Sequence, residues 1–239
     1  DFLKEVNDAE AKLTSDTAAI SILEYVHPKK EFRDYSSDFS VELSSVLTDY
    51  NFNQTLYRKN RDYVDPNALD ETAKFLYKET MEGYKRSGIA KSKEIRNEIS
   101  RISKENAKLA SDFSTNIAEG TPVLEFDESQ LRGCFEEFLS VRRLKNGKIK
   151  VTLVSSETLH ILQNCSIRDT REEVKKVSMN YAKESNWAIL PSFLNNIERI
   201  AQLAGYKNYA DLSTEDKMIQ SSEKAADFIK ELIDSTQAR

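Results

Sequence analysis

Apolar residues recur at steps of three and four along almost the whole chain, and the pattern breaks only once. Phe2, Val6, Ala9, Leu13, Ala18, Ile20 and Leu23 place a first helix over residues 1–26. His27-Pro28 ends it, because the residue before proline is pushed out of the α region. The spacing predicts a second helix over Lys29–Asp49 and a third over Asn53–Val64, with Asp65-Pro66-Asn67 as a turn and helix start. Over residues 67–87, Leu69, Ala73, Leu76 and Tyr77 share a face, and Ser87-Gly88 closes that helix. The clearest helix runs from Ser92 to Glu119: Ile95, Ile99, Ile102, Leu109, Phe113 and Ile117 form one stripe, and Gly120 is the expected stop. A single apolar stripe requires other helices as its cover.

At Thr121 the period changes. Thr-Pro-Val-Leu-Glu-Phe over 121–126 reads as extended, and Ile149–Val154 is rich in β-branched residues in partial alternation. One or two short helices fill Glu128–Leu144. Helices resume at Ser156, where Ser155-Ser156-Glu157-Thr158 can cap a helix carrying Leu159, Leu162 and Cys165. Asp169 with Glu172 has capping-box spacing for the next helix. Pro191, after Asn186-Trp187, is expected close to a helix start, where its missing N–H costs least. Ser221 or Ser222 opens a last helix with Ala225, Phe228, Ile229, Leu232 and Ile233 apolar. That helix meets no glycine or proline before Arg239, which reads as a truncation. The expected class is mainly α, a bundle-like helical domain with a small two-stranded β interruption at about 121–126 and 149–154. Residues 1–120 and 121–239 are its possible sub-lobes.

Composition agrees with long helices. Only 6 glycines and 4 prolines occur in 239 residues, too few breakers for a sandwich or barrel. A hydrophobic share of 39% with 31% charged residues suits a folded chain with wide solvated faces. The net charge of −5 opposes nucleic acid, so no nucleic-acid partner is expected. The one basic cluster, Arg142, Arg143, Lys145, Lys148 and Lys150 around Asn146-Gly147, lacks interleaved aromatic residues and reads as a solvated turn entering a strand. No apolar run approaches the roughly 20 residues of a membrane span. Two cysteines, Cys134 and Cys165, are too few for a disulfide framework and read as small buried hydrophobes. No signal or transit segment is read at the start, so a cytoplasmic home is expected, with the mitochondrion as alternative.

Candidate chemistry is sparse. A catalytic zinc needs about three protein ligands, and His27 and His160 are the only histidines, too distant in sequence for helix spacing to join them. Neither has a histidine at i+4, and no His-Glu-x-x-His occurs. His160 with Cys165, joined by Cys134, is the one tempting cluster. Its i, i+5 spacing aligns poorly on a helix face, which favours a partly buried histidine beside two core cysteines. Gly-x-Ser-x-Gly and glycine-rich phosphate loops are absent. Adjacent carboxylates, Glu136-Glu137 and Glu172-Glu173, diverge by about 100° on a helix and cannot share a site. Tyr50, Phe52, Tyr57 and Tyr63, and separately Tyr206 and Tyr209, are either core filling or a binding surface, with core filling preferred. On these residues no catalytic, cofactor or metal site is assigned.

The order of motifs nevertheless carries a resemblance. A long helix ends in Phe113-Ser114-Thr115-Asn116-Ile117, then come Leu124-Glu125-Phe126, Leu131-Arg132-Gly133, and a strand opened by Gly147-Lys148. Leu159, Leu162 and Cys165 follow on one helix, Thr170-Arg171 begins the next, and Asn186, Ile189-Leu190, Ala201 and Leu203 lead to Gly205-Tyr206. Tyr209-Ala210-Asp211, Lys217-Met218 and Phe228 complete the series. In this order the chain resembles the amino-terminal part of the thimet oligopeptidase, neurolysin and saccharolysin family of zinc metallopeptidases. Four departures leave the subfamily open: Cys134-Phe135 after the Leu-x-Gly turn, Ser155-Ser156 after the strand, Ile219 after the methionine, and Ile197 with Arg199 in the helix before Gly205.

The resemblance implies the helical amino-terminal half of a zincin-type oligopeptidase, one wall of a channel that admits short peptides and excludes folded proteins by size. Zinc would belong to the full-length protein, held with a glutamate base in a carboxy-terminal part not contained in residues 1–239, and none would be bound by this fragment. Such a fragment would be silent alone, and the full-length protein a monomer acting on short peptides. The alternative is a non-catalytic helical scaffold or peptide-binding protein that shares the fold.

Overall fold

A computed structural model describes residues 2–237. They are mainly helical with one two-stranded antiparallel sheet, and they pack as two compact units. One combines the residues up to Ser111 with those from Ser192 onward, and the other spans Asp112–Pro191.

The first unit opens with α1 (Phe2–Val26) and α2 (Lys30–Asn51), which fold against each other across the His27-Pro28 break. The hydroxyl of buried Ser36 on α2 donates to the Ile20 carbonyl on α1. In α3 (Gln54–Tyr63) the first free N–H groups, of Thr55 and Leu56, are taken by the Asn53 carboxamide. The next helix, α4 (Glu71–Ser87), starts four residues later than the apolar spacing alone implies. Asp65 first holds Pro66–Ala68 in a single 3₁₀ turn, and the cap then falls to Asp70, which accepts from the Ala73 N–H at 2.8 Å. Gly88 closes α4 at φ +75°, and a Cβ there would lie 2.9 Å from the Ile99 side chain, so glycine is required twice over.

α5 (Lys93–Gly120) carries the apolar stripe seen in the sequence, with Ile99 and Ile102 buried. The helix ends at Gly120, where the sequence places its stop, although Gly120 is the last helical residue and has no left-handed φ. The chain instead leaves at Thr121, whose hydroxyl donates to the Ile117 carbonyl at 3.0 Å. Side-chain hydrogen bonds link α5 to α9 (Lys183–Ala204) within each unit. Within the first unit the buried Asn106 accepts from the Asn196 amide at 2.9 Å. Within the second, the Asn116 amide donates to the Asn186 carboxamide oxygen at 2.9 Å, and the Asn186 amide donates to the Phe113 carbonyl at 3.2 Å.

The second unit is built on a hairpin of β1 (Val123–Phe126) and β2 (Ile149–Thr152), paired from Val123↔Thr152 to Phe126↔Ile149. Side chains alternate across a strand, so Phe126 and Leu124 meet Ile149 and Val151 on the core face, while Glu125 stands opposite Lys150 on the exposed face. Leu131, Leu139, Leu153, Ile161, Cys165 and Val174 complete that core. A 3₁₀ turn (Glu128–Leu131) and α6 (Glu136–Ser140) span the strands, and Gly147 at φ +82° turns the chain into β2.

Three start signals act differently from the spacing alone. α7 (Ser155–Asn164) has no side-chain cap, and its Glu157 instead accepts from the Thr152 N–H at 2.9 Å and from Arg142 at 2.9 Å. α8 (Arg168–Asn180) begins before Asp169 and so has no capping box there; buried Thr170 anchors it by donating to the Gln130 carbonyl at 2.8 Å. Pro191 lies inside α9, well past its start. Gly205 at φ +106° ends α9, followed by α10 (Tyr209–Thr214) behind the Asn208 cap and α11 (Ser222–Gln237).

Two substitutions test this frame. Asn186→Ala orphans the Asn116 amide and should lower unfolding free energy by about 1–3 kcal/mol in urea melts. Gly133→Ala should cost at least about 2 kcal/mol, since φ is +98° and a Cβ would sit 2.4 Å from the Asn164 carbonyl oxygen, which is backbone and cannot swing away.

Candidate functional site

His27 lies in the first unit against the Phe32 ring, while His160, Cys134 and Cys165 gather in the second, where α6 and α7 bring His160 against two rings. Its imidazole stacks on Phe138 with centroids 4.0 Å apart and meets Phe135 edge-on at 5.2 Å. The Nε2 atom is buried and has no hydrogen-bond partner. Burial, and secondarily the Arg142 guanidinium, hold the imidazole pKa below its ordinary value. Arg142 lies over the Phe138 ring at 4.0 Å and pairs with Glu157, so its charge is already engaged. The ring is therefore a neutral aromatic wedge in a packed corner, poorly placed to exchange protons with a substrate.

The cysteines belong to the same core. Cys165 is buried and its thiol donates to the Gln130 carbonyl at 3.3 Å. Cys134 packs beside it, and burial, with Cys165 adding to it, pushes the Cys134 thiol up to about 11. At neutral pH such a thiol carries very little thiolate, the form that attacks carbonyls or ligates metals. Among the described residues no group of three or more His, Cys, Asp and Glu side chains could hold a metal ion.

The basic turn is balanced locally. Arg143 pairs with Glu128 and, at 3.3 Å, with Glu136, while Lys145, Lys148 and Lys150 are exposed. Of the aromatic groups, Tyr57 meets Tyr84 edge-on at 5.4 Å, and Tyr63 stands almost free at 84% exposure. The Tyr206 hydroxyl donates to Glu215, which Lys85 also binds, tying the end of α4 to the turn after α10. Both phenols that bond carboxylates, Tyr50 and Tyr206, have their pKa raised, first by burial and then by the carboxylate.

One concavity in the first unit has the character of a ligand groove. Ala9, Leu13, Ala18, Leu43, Val46 and Leu47 line a space of about 540 Å³ between α1 and α2. At one end the Tyr50 hydroxyl donates to Glu10 at 2.5 Å. Its wall is apolar with hydroxyls of Thr14, Thr17, Ser21 and Tyr50 along it, a lining that can hold an apolar side chain.

The residues that sequence reasoning missed are structural carboxamides, Asn60, Asn106 and Asn186, all buried. Asn106 and Asn116 carried a signal, for they interrupt the apolar stripe of α5, where a polar side chain must find a partner.

The neutral state of His160 has a pH signature. Its folded pKa lies below the ordinary 6.5, so the unfolded chain binds the proton first, and stability should fall as pH drops from about 7 through 6.5 toward the folded value. His160→Leu should remove that part of the decline; thermal melts between these pH values measure it.

Comparison with known proteins places these observations. Residues 161–239 match the model of Peptidase family M3. The chain is 22% identical to a thimet-like oligopeptidase of Dictyostelium discoideum, covering 92% of this chain and 34% of that protein. It is 24% identical to a probable thimet oligopeptidase of Arabidopsis thaliana, with 87% and 30% covered. It is 26% identical to saccharolysin of Saccharomyces cerevisiae, with 90% and 32% covered. Other relatives are named as cytosolic, mitochondrial and chloroplast forms. The chain spans about a third of the length of these relatives. The resemblance carried by the motifs is thereby borne out: this mainly helical chain is similar, over most of its length, to thimet oligopeptidases and saccharolysin, and its residues 161–239 match Peptidase family M3.

Proposed function

We propose that the 239 residues are the helical amino-terminal region of a zinc-dependent oligopeptidase, forming one wall of the channel that receives short peptides. The observation that carries this reading is the lopsided coverage: each of the three relatives matches nearly all of this chain, yet the chain accounts for only about a third of each relative. The machinery for hydrolysis, zinc with its bound water and a glutamate base, would then lie in the remaining two thirds. The residues described here would contribute helix surface for binding and shape, and the full-length protein would act as a monomer. His160 and the cysteine pair would serve packing.

The reading has a direct test. The 239-residue chain and the full-length protein would each be supplied with zinc and a short quenched fluorogenic peptide. Hydrolysis is expected from the full-length protein only, inhibited by a zinc chelator, and the 239-residue chain should bind no stoichiometric zinc. Turnover by the short chain, abolished by His160→Ala, would overturn the proposal. An open frame that ends at Arg239 would favour the alternative of a non-catalytic scaffold.

A further inference from the structure

The last helix is built for a partner that the described residues do not supply. At about 100° per residue, every charged side chain of α11 (Glu223, Lys224, Asp227, Lys230, Glu231 and Asp234) falls on one half of the cylinder. The opposite half carries no charge at all. Its large members, Phe228, Ile229, Leu232 and Ile233, are 55%, 55%, 50% and 47% exposed. None of the residues of α11 is buried, and its main neighbour is the short α10. A 16-residue helix without packing is marginal in water. Such a stripe matches a helix whose apolar face packs on a core while its charged face meets water.

We infer that the Phe228–Ile233 face of α11 is the surface on which the polypeptide following Arg239 docks in the full-length protein. The inference rests on the reading that the protein is longer than 239 residues. Two observations select that occupant over others. α11 lies wholly inside the segment that matches Peptidase family M3, and the relatives are about three times as long as this chain. A following segment is also tethered directly to α11, which gives it a high effective concentration at this face.

The experiment compares the full-length protein with the 239-residue chain, each with and without Leu232→Asp or Ile229→Asp. In the short chain these positions already face water, so the melting temperature should move by less than about 1 °C. In the full-length protein either substitution should lower it by several degrees, while Leu232→Met and the charged-face control Asp234→Lys should be nearly silent. Amide exchange over 226–236 should slow at least about tenfold in the full-length protein. Equal exchange in both proteins, with Leu232→Asp harmless in both, would overturn the inference even where the full-length protein is an active peptidase. A short chain that dimerises and is made monomeric by Leu232→Asp would overturn it too, assigning the face to a second copy. The absence of any coding sequence after Arg239 would instead sink the underlying reading, and it is read from the gene alone.

Discussion

The constraint that bears hardest on α5 and α9 is that the buried carboxamides of Asn106 and Asn186 must find partners. A primary amide taken out of water without a partner costs about 1–3 kcal/mol. Asn106 and Asn196 in one unit, and Asn116 and Asn186 in the other, avoid that cost only when the two helices stand in one register. Ile99 and Ile102 supply burial on the same stripe, but apolar contacts alone tolerate sliding. The amides do not. Directional bonds thus convert a generic helix contact into a specific one within each unit.

The second unit illustrates how tertiary contacts replace local signals. Ser155 and Ser156 have the chemistry of a helix cap, yet α7 begins without one because Glu157 serves the β2 backbone and Arg142 together. Asp169 and Glu172 have capping-box spacing, yet α8 starts a residue earlier, held by Thr170 on the Gln130 carbonyl. In both cases a bond to a distant segment outweighs a cap worth about 1 kcal/mol. Pro191 in the interior of α9 follows the same logic: the packing of a 22-residue helix outweighs the loss of one backbone hydrogen bond.

For function, the informative property is what the side chains have been committed to. His160 and Arg142 are spent on the Phe138 ring and Glu157, and the Cys134 thiol is held protonated by its surroundings. Groups that could do chemistry in water are here part of the packing. The surfaces left uncommitted are apolar: the groove between α1 and α2, and the outer face of α11.

Periodicity alone determined the helical class, the position of the β interruption and most helix ends, because burial on one face of a helix leaves a three-and-four repeat and because Pro28, Gly88 and Gly205 act on the backbone locally. Motif order carried the resemblance to the oligopeptidases, since no single motif is specific on its own. Only the tertiary structure decided the partners of the buried asparagines, the uncapped starts of α7 and α8, the helical continuation through Pro191, and the enclosure of His160. Those outcomes turn on residues as far apart as Asn106 and Asn196, or Gln130 and Thr170, whose meeting is written in three-dimensional packing and in no local spacing.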